Sequence, residues 1–368
     1  MGLRKGNIVD IEGTAKSIDE SLINLEKLTG IETYSAVIGF SGHSVTSVNN
    51  HAIVAVGNHN YEIGIDDKER VLQSARNIAL PPDKTIVQII ERQYIIDGYE
   101  GVKDPVGMVG SRLEAEIAII IAATAALQNL HRSTQRINLP VNNIIYNPLL
   151  ASEVVLLPAE REMGVVLINL GAGITEISFF EMGTLLYTSV LPVGGDYITK
   201  DLAIVLRTSI DEAQRIKEEY GTASVEMANE EDMITVKNVQ ATDTKTVSAR
   251  VVAEIISARV YEIMEMIYSE LNRFNCLGKM PGGIVLTGGG AHLSNINKVM
   301  EDYLNVPVRL GFPDRVEGLP HDFRHPEYAN VIGALQYGAK NIDISYQENK
   351  GISKVLDRIS YYFKDLFS

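Results

Sequence analysis

Three glycine-rich turns, each at the end of an apolar strand-like run, are the feature that most constrains the fold of this chain. One of them, Thr287 followed by Gly288, Gly289, Gly290 and Ala291, comes after the apolar residues 284–286 and before a helical pattern over residues 293–304. Because glycine has no Cβ atom, such a turn lets the backbone approach a flat base or a phosphate group closely. A single turn of this kind is equally compatible with tight packing of the chain alone.

A second turn lies in residues 165–179, where an apolar strand runs into Gly171, Ala172 and Gly173 and another apolar strand begins at Ile174 and Thr175. A hairpin closed by a short glycine turn exposes backbone amides that can hold phosphate oxygens. The pattern therefore predicts a phosphate-binding hairpin.

The third turn, Gly194, Gly195 and Asp196, precedes a helical pattern over residues 197–207. Asp196 can serve as the N-cap of that helix, with the free amides of the first turn facing an anion. Three glycine turns at strand ends are more typical of a nucleotide-binding fold than of accidental packing.

Around these turns the sequence resembles the actin-like ATPases and, among them, the FtsA family of bacterial division proteins. Six segments carry the resemblance in the family's order: residues 2–12, 112–120, 168–178, 191–203, 212–221 and 286–293. An inserted module near the start and an amphipathic tail favour this family over the chaperones and the shape-determining filament proteins. The resemblance implies an α/β, actin-like (ribonuclease H-like) two-domain fold with an inserted α+β 1C (SHS2-type) subdomain and a C-terminal amphipathic helix.

The resemblance also implies where each subdomain begins and ends. Subdomain 1A is expected at residues 1–30 and 122–163, 1C at 31–121, 2A at 164–202 and 276–340, and 2B at 203–275, followed by a linker over 341–350 and a membrane-targeting helix over 351–368. In the family, 1C serves filament contacts and binds other division proteins, and 2B receives the C-terminal peptide of the tubulin-like protein FtsZ.

The family's role is to tether FtsZ filaments to the cytoplasmic face of the plasma membrane at the division septum and to help assemble the divisome. It does so through an ATP-binding fold that can polymerise. By resemblance, the residues expected at the ATP site are Asn169, Gly171, Ala172, Gly173, Ile174, Thr175, Gly194, Gly195, Asp196, Gln214, Lys217, Gly288, Gly289, Gly290 and Ala291.

Several of these residues depart from the family's usual pattern. Asn169 stands where an Asp usually helps to hold Mg²⁺ through water, and an amide keeps an oxygen ligand but loses the negative charge. Ile174, Glu176 and Gln214 stand where Thr, Asp and Glu are usual. Lys217 is retained as a candidate nucleotide contact, with a solvated surface lysine as the alternative.

The family's N-terminal hairpin, which carries an Asp-x-Gly phosphate loop, has no counterpart ahead of residue 2. Either the sequence is a fragment, or the chain lacks one of two phosphate clamps. Since phosphoryl transfer relies on a metal ion and positioned charge, binding of ATP and Mg²⁺ stays an open expectation and any ATPase activity is expected to be weak or absent.

Composition is consistent with a cytoplasmic protein of this kind. The net charge of −14 argues against a nucleic-acid partner, because neutralising phosphates requires a basic face. The single cysteine, Cys276, excludes an intrachain disulfide. No signal peptide opens the chain, and the longest apolar run, residues 117–127, is too short to span a bilayer.

The tail is predicted to be an amphipathic helix. Between residues 350 and 367 there are four basic and two acidic side chains, on a chain that is otherwise acidic. Such a helix could lie in an anionic membrane interface, or it could pack back on its own domain. The residues predicted to enter the membrane share one helical face: Ile352, Val355, Leu356, Ile359, Phe363, Leu366 and Phe367.

Two other functions remain open at this point. One is an active ATPase or a sugar-kinase-like enzyme, for which Asp10 is a superficial catalytic candidate. The other is a degenerate adaptor that uses no nucleotide. The seven histidines show no metal-type spacing, and the nearest pair, His321 and His325, is predicted to lie in a solvated turn.

Overall fold

The computed structural model of the chain describes residues 2–240 and 243–341. Helices α1 to α10 span Ile11–Thr29, Ile65–Arg76, Thr124–Gln135, Asn147–Val155, Pro158–Met163, Gly195–Val205, Ile210–Tyr220, Ala249–Arg273, Ile296–Leu304 and Ala329–Asn341. Strands β1 to β15 span Leu3–Arg4, Asn7–Ile8, Ala36–Phe40, Thr46–Ala55, Lys84–Ile96, Tyr99–Val102, Arg112–Ala123, Val141–Tyr146, Val165–Leu170, Thr175–Glu181, Thr184–Leu191, Met233–Lys237, Thr244–Ser248, Ile284–Thr287 and Val308–Leu310. The predicted linker beyond Asn341 and the whole predicted membrane helix lie outside the described residues.

A five-stranded sheet in the order β15-β14-β9-β10-β11 forms the centre of the C-terminal half. Strands β9, β10 and β11 are antiparallel, whereas β14 runs parallel to both β9 and β15. All six residues of β9 are buried, because helices cover both faces of the sheet. Since side chains alternate along a strand, Val166 and Ile168 enter one hydrophobic core and Val165 and Leu167 enter another.

The inserted module has a core of its own. Strands β4, β7, β5 and β6 form an antiparallel sheet on which α2 packs, and residues such as Ile63, Val71, Tyr94 and Leu113 are buried between them. This sheet joins the central sheet where β4 pairs with β11. The nine strands are therefore continuous, and β7 also contributes Ile120 and Ala122 to the core that holds Val165 and Leu167.

Strand β3 pairs in parallel with β8 and not with the strands of the insert. The expected boundary at residue 31 assigned β3 to subdomain 1C, yet its pairing places it with β8, which lies in the segment expected to be 1A. A short apolar strand carries no local signal of its partner, so sequence alone could not place it. We propose that the insert begins after β3.

The segment expected to be 2B shares its core with 2A. Strand β12 and helices α7 and α8 contribute Ile234, Ala213 and Val260 to the same buried cluster as Ile168. The apolar stripe of α8 is part of this core. None of the helices within residues 2–240 and 243–341 has the length and hydropathy that a bilayer span requires.

Candidate nucleotide site

The hairpin turn and the turn at Gly194 meet directly. The amide of Gly195 donates to the carbonyl oxygen of Gly171 over 2.9 Å, and the amide of Asp196 donates to that of Ala172 over 2.8 Å. A Cβ atom on Gly194 would stand within 2.6 Å of the Ala172 carbonyl oxygen and closer still to that of Gly171. Only glycine fits there, because the two backbones are in contact.

The glycine turn 288–291 adjoins the same hairpin through the parallel pairing of β14 with β9, in which Thr287 lies opposite Asn169. Gly288 adopts a left-handed φ of 85° and packs against the side-chain oxygen of Asn169. Gly290 packs against Leu170, while Gly289 faces open space. All three glycine turns therefore meet at one end of β9.

The helix after the Gly194 turn begins two residues earlier than expected. Gly194 is the N-cap of α6, so Asp196 lies inside the first turn and does not cap it. The amides of Gly195 and Asp196, two residues expected at the ATP site, donate to the hairpin carbonyls. The Thr175 hydroxyl is also committed, since it is buried and donates to the Val193 carbonyl over 2.8 Å.

The open amides of this site are on the hairpin turn. Within the described ranges, the amides of Ala172 and Gly173 have no assigned acceptor, and Ala172 is exposed. The Lys5 backbone lies beside Gly173, where a Cβ atom would stand 3.3 Å from the Lys5 Cα. Two adjacent amides beside a lysine form a natural cradle for a phosphate group.

A cluster of cations extends this cradle around Tyr197 on α6. The ammonium groups of Lys5 and Lys200 each lie 5.1 Å from the centre of the Tyr197 ring, and the Arg259 guanidinium lies 5.6 Å from it. Lys5, beside the Tyr197 hydroxyl, lowers the pKa of that phenol. Sequence reasoning missed Lys5, although it lies within residues 2–12, one of the segments that carry the family resemblance.

Asn169 and Glu176 face each other beneath the hairpin turn. The Asn169 amide nitrogen donates to Glu176 Oε2 over 2.6 Å, and burial raises the pKa of Glu176 to about 7. Its other oxygen, Oε1, has no partner in the described part of the chain, and neither has the buried hydroxyl of Ser41. The Ser41 hydroxyl is nevertheless close enough to Glu176 to lower the pKa of its carboxyl, against the larger effect of burial.

The residues at this position do not fit a hydrated Mg²⁺ ion. Asn169 is only 9% exposed, its nitrogen is bound to Glu176, and its oxygen packs against Gly288. A hard cation requires open oxygen ligands and room for its waters. We therefore assign no metal-binding role to Asn169 in this arrangement.

Gln214 and Lys217, both on α7, form hydrogen bonds with Gly195 and Thr199 at the start of α6. The Gln214 side-chain oxygen accepts hydrogen bonds of 2.7 Å from Thr199 and 2.8 Å from the Lys217 ammonium. That ammonium also donates to the Gly195 carbonyl over 3.4 Å, and burial lowers the pKa of Lys217. Lys217 is thus a half-buried, hydrogen-bonded group, unlike a freely solvated surface lysine.

Asp10, the candidate catalytic carboxylate of a kinase, caps helix α1. Its side chain accepts the Gly13 amide over 3.0 Å. This is a common structural role for an aspartate.

A cleft of about 340 Å³ lies elsewhere, between β5, α4 and α10, and is lined by residues including Ile89, Leu149 and Tyr337. It is separate from the three glycine turns.

Comparison with known proteins identifies the family of this chain. A family profile described as "Cell division protein FtsA" matches residues 166–333, and one described as "SHS2 domain inserted in FTSA" matches residues 42–121. The second match begins after β3, in agreement with the strand pairing. The division protein FtsA of Pseudomonas aeruginosa is 35% identical over 98% of this chain and 84% of its own length. FtsA of Bacillus subtilis is 35% identical over 93% of this chain and 77% of its own length.

Solved structures resemble this fold at low sequence identity. A PilM-PilN type IV pilus biogenesis complex aligns with a TM-score of 0.62 at 16% identity, covering 92% of this chain and 88% of the matched chain. MreB5 of Spiroplasma citri bound to ADP aligns with a TM-score of 0.50 at 16% identity, covering 61% of this chain and 68% of the other. These likenesses confirm the predicted actin-like fold, and the sequence matches establish that the chain belongs to the FtsA family of cell division proteins.

Proposed function

We propose that this chain tethers FtsZ filaments to the cytoplasmic face of the plasma membrane at the division septum and helps to assemble the divisome. The observation that carries this proposal is the 35% identity to a cell division protein FtsA over 98% of the chain. The inserted module with its own hydrophobic core adds to it, because that module distinguishes the family within its superfold.

The FtsZ C-terminal peptide would dock on the segment 203–275. Several large apolar side chains of this segment are exposed, among them Met227 at 66%, Met233 at 59% and Val239 at 66%. Exposed methionines adapt their shape to a bound peptide and are typical of binding surfaces. The surface lies around β12 and the short 3-10 helix Val225–Met227, opposite the face that packs against the central sheet.

The insert would supply contacts to neighbouring protomers and to other division proteins. Tyr99, Val109 and Ile53 are large, exposed apolar residues on this module. A filament of such chains would present many tails of residues 351–368 to an anionic membrane. Each tail would bind reversibly, and the array would bind firmly through avidity.

The converged glycine turns support binding of ATP by this fold. The phosphates would contact the amides of Ala172 and Gly173 and the ammonium of Lys5, and the base would lie beside the open backbone at Gly289. Because Asn169 carries no negative charge to attract a cation and its amide nitrogen is bound to Glu176, we expect hydrolysis to be weak or absent.

A nucleotide-free adaptor is the second candidate function, and one observation favours it. The amides of Gly195 and Asp196, two residues expected at the ATP site, already donate to protein carbonyls and are not available to a phosphate. In that case the surfaces that bind FtsZ and the membrane would act without ATP.

Binding of an FtsZ C-terminal peptide to the full chain, measured by fluorescence anisotropy, tests the tethering proposal. We expect saturable binding that a scrambled peptide does not show and that Met233→Asp weakens at least roughly tenfold, as is common when an apolar anchor is lost. Ile53→Asp, a change at a 52% exposed residue of the insert, is the matched control and should leave binding intact. An intact chain that does not distinguish the two peptides would contradict the proposal.

A further inference from the structure

Three side chains of metal-ligand type meet beside the glycine turn 288–291, and one of them, His292, is distant in sequence from the other two. A nitrogen from each of His292 and His325 and a carboxylate oxygen of Glu327 all lie within 4.8 Å of one another. The imidazole Nε2 of His292 is 2.5 Å from Glu327 Oε2, and the rings of His292 and His325 have centroids 5.7 Å apart. The sequence prediction that the histidines form no metal cluster overlooked this arrangement, because His292 comes from a different segment.

The backbone holds the two segments together independently of any ligand. The Pro326 carbonyl accepts a hydrogen bond of 3.0 Å from the Thr287 hydroxyl and one of 3.2 Å from the Gly288 amide. His292 ends the short 3-10 helix Gly289–His292, and Glu327 belongs to the short 3-10 helix Pro326–Tyr328. The three donors are therefore positioned by buried structure, which lowers the entropy cost of gathering them around an ion.

The donor set selects the kind of ion. Two imidazoles and one carboxylate suit a first-row transition metal such as Zn²⁺, whereas Mg²⁺ and Ca²⁺ prefer sites made only of oxygen ligands. Bonds of about 2.0 to 2.2 Å in a tetrahedral site place neighbouring ligand atoms roughly 3.3 Å apart. His292 and Glu327 are now joined by a hydrogen bond, so an ion would take the place of the bonding proton and move these two side chains slightly apart.

The cluster is accessible from solvent. The side chain of His292 is 48% exposed and that of Glu327 is 36% exposed, and rotation of both side chains requires no change in the core. An ion held by three protein ligands keeps at least one position for water or another small ligand.

We propose that His292, His325 and Glu327 form a binding site for a Zn²⁺-type transition-metal ion, which would clamp the glycine turn 288–291 to the segment 325–327. This site does not depend on the proposed nucleotide or FtsZ binding. An occupied site would reduce the mobility of the turn that approaches the candidate nucleotide site.

Titration of the full, untagged chain with Zn²⁺ alone, followed by calorimetry at a pH above the ordinary range of histidine, tests the proposal. We expect one strongly bound Zn²⁺ per chain and at least roughly tenfold weaker binding in His292→Ala, His325→Ala and Glu327→Gln, the size of loss seen when a metal site is disturbed. His59→Ala and His131→Ala, which alter other exposed histidines, are matched controls and should bind as the unaltered chain does.

Two further measurements separate loss of the metal site from loss of folding in an altered chain. Circular dichroism would show whether each variant is folded before the titration, and Co²⁺ in place of Zn²⁺ would report the coordination directly through its visible absorption. Because Cys276 is buried in the hydrophobic core, thiolate bands are not expected. Absence of strong Zn²⁺ binding, equal binding by His292→Ala, or displacement of the ion by excess Mg²⁺ would each overturn the proposal.

Discussion

The amide of Gly195 donates a hydrogen bond of 2.9 Å to the carbonyl oxygen of Gly171, and this bond joins two glycine turns that are separated by two strands. The contact explains why both turns are rich in glycine. The first amides of α6 therefore hold the two turns together. Within the described residues, the amides of Ala172 and Gly173 are left as donors for a ligand.

Replacing Gly194 by alanine should destabilise the fold. The new Cβ atom would stand within 2.6 Å of a backbone oxygen that cannot move without breaking the hairpin contact, and such overpacking costs roughly 1–3 kcal/mol. Urea unfolding should show a lower midpoint for Gly194→Ala. Gly289→Ala is the control, since no atom lies within 4 Å of its Cβ position. An equal fall in the urea midpoint of both variants would contradict the packing argument.

Glu176 should make folding stability depend on pH in the acid range. Its pKa is about 7 in the folded chain against 4.5 ordinarily, so the carboxyl is neutral in both states below pH 4.5. Between pH 4.5 and 7 the unfolded chain releases the proton first, and the free energy of unfolding falls with rising pH by roughly 3 kcal/mol in total.

Denaturant unfolding of the unaltered chain and of Glu176→Gln, measured from pH 4.5 to 8, isolates this contribution. Glutamine cannot ionise, so the stability difference between the two chains should shift in favour of the variant as the pH rises and level off above pH 7. A difference that stays constant across this range would mean that the folded carboxyl ionises normally.

Lys5 should contribute to ATP affinity. Its removal in Lys5→Gln takes away a charge-assisted contact to phosphate, for which a loss of roughly tenfold, or about 1.5 kcal/mol, is expected. Lys16→Gln is a suitable control, because that ammonium is on α1 and its side chain is 78% exposed. Calorimetry with ATP would distinguish the candidate functions: no binding by the unaltered chain would favour the nucleotide-free adaptor.

Deleting residues 351–368 should abolish co-sedimentation with anionic liposomes while leaving the fold intact. The apolar face of the predicted helix supplies the affinity and its basic residues supply the attraction to anionic lipid. The circular dichroism and thermal unfolding of the shortened chain serve as controls. Unchanged co-sedimentation would refute the membrane anchor, and a large loss of stability would instead indicate a helix that packs on its own domain.

The sequence predicted the parts of this molecule that depend on local pattern. The glycine turns and the strands that lead into them are encoded within short windows, and the structure has these strands as predicted.

Long-range contacts could not be anticipated in the same way. The partner of β3, the occupied amides of Gly195 and Asp196, and the meeting of His292 with His325 each depend on residues that are distant in sequence. The buried position of Glu176 likewise follows from the packing of the hairpin and not from its neighbours in the chain.

Flotation of FtsZ with anionic liposomes is the most direct measurement of the proposed tethering function. We predict that FtsZ filaments rise with the vesicles only when the full chain is present, and that they remain in the dense fraction when residues 351–368 are removed or when FtsZ lacks its C-terminal peptide. If this chain floats with the vesicles while intact FtsZ remains behind, the protein binds membranes but does not tether FtsZ.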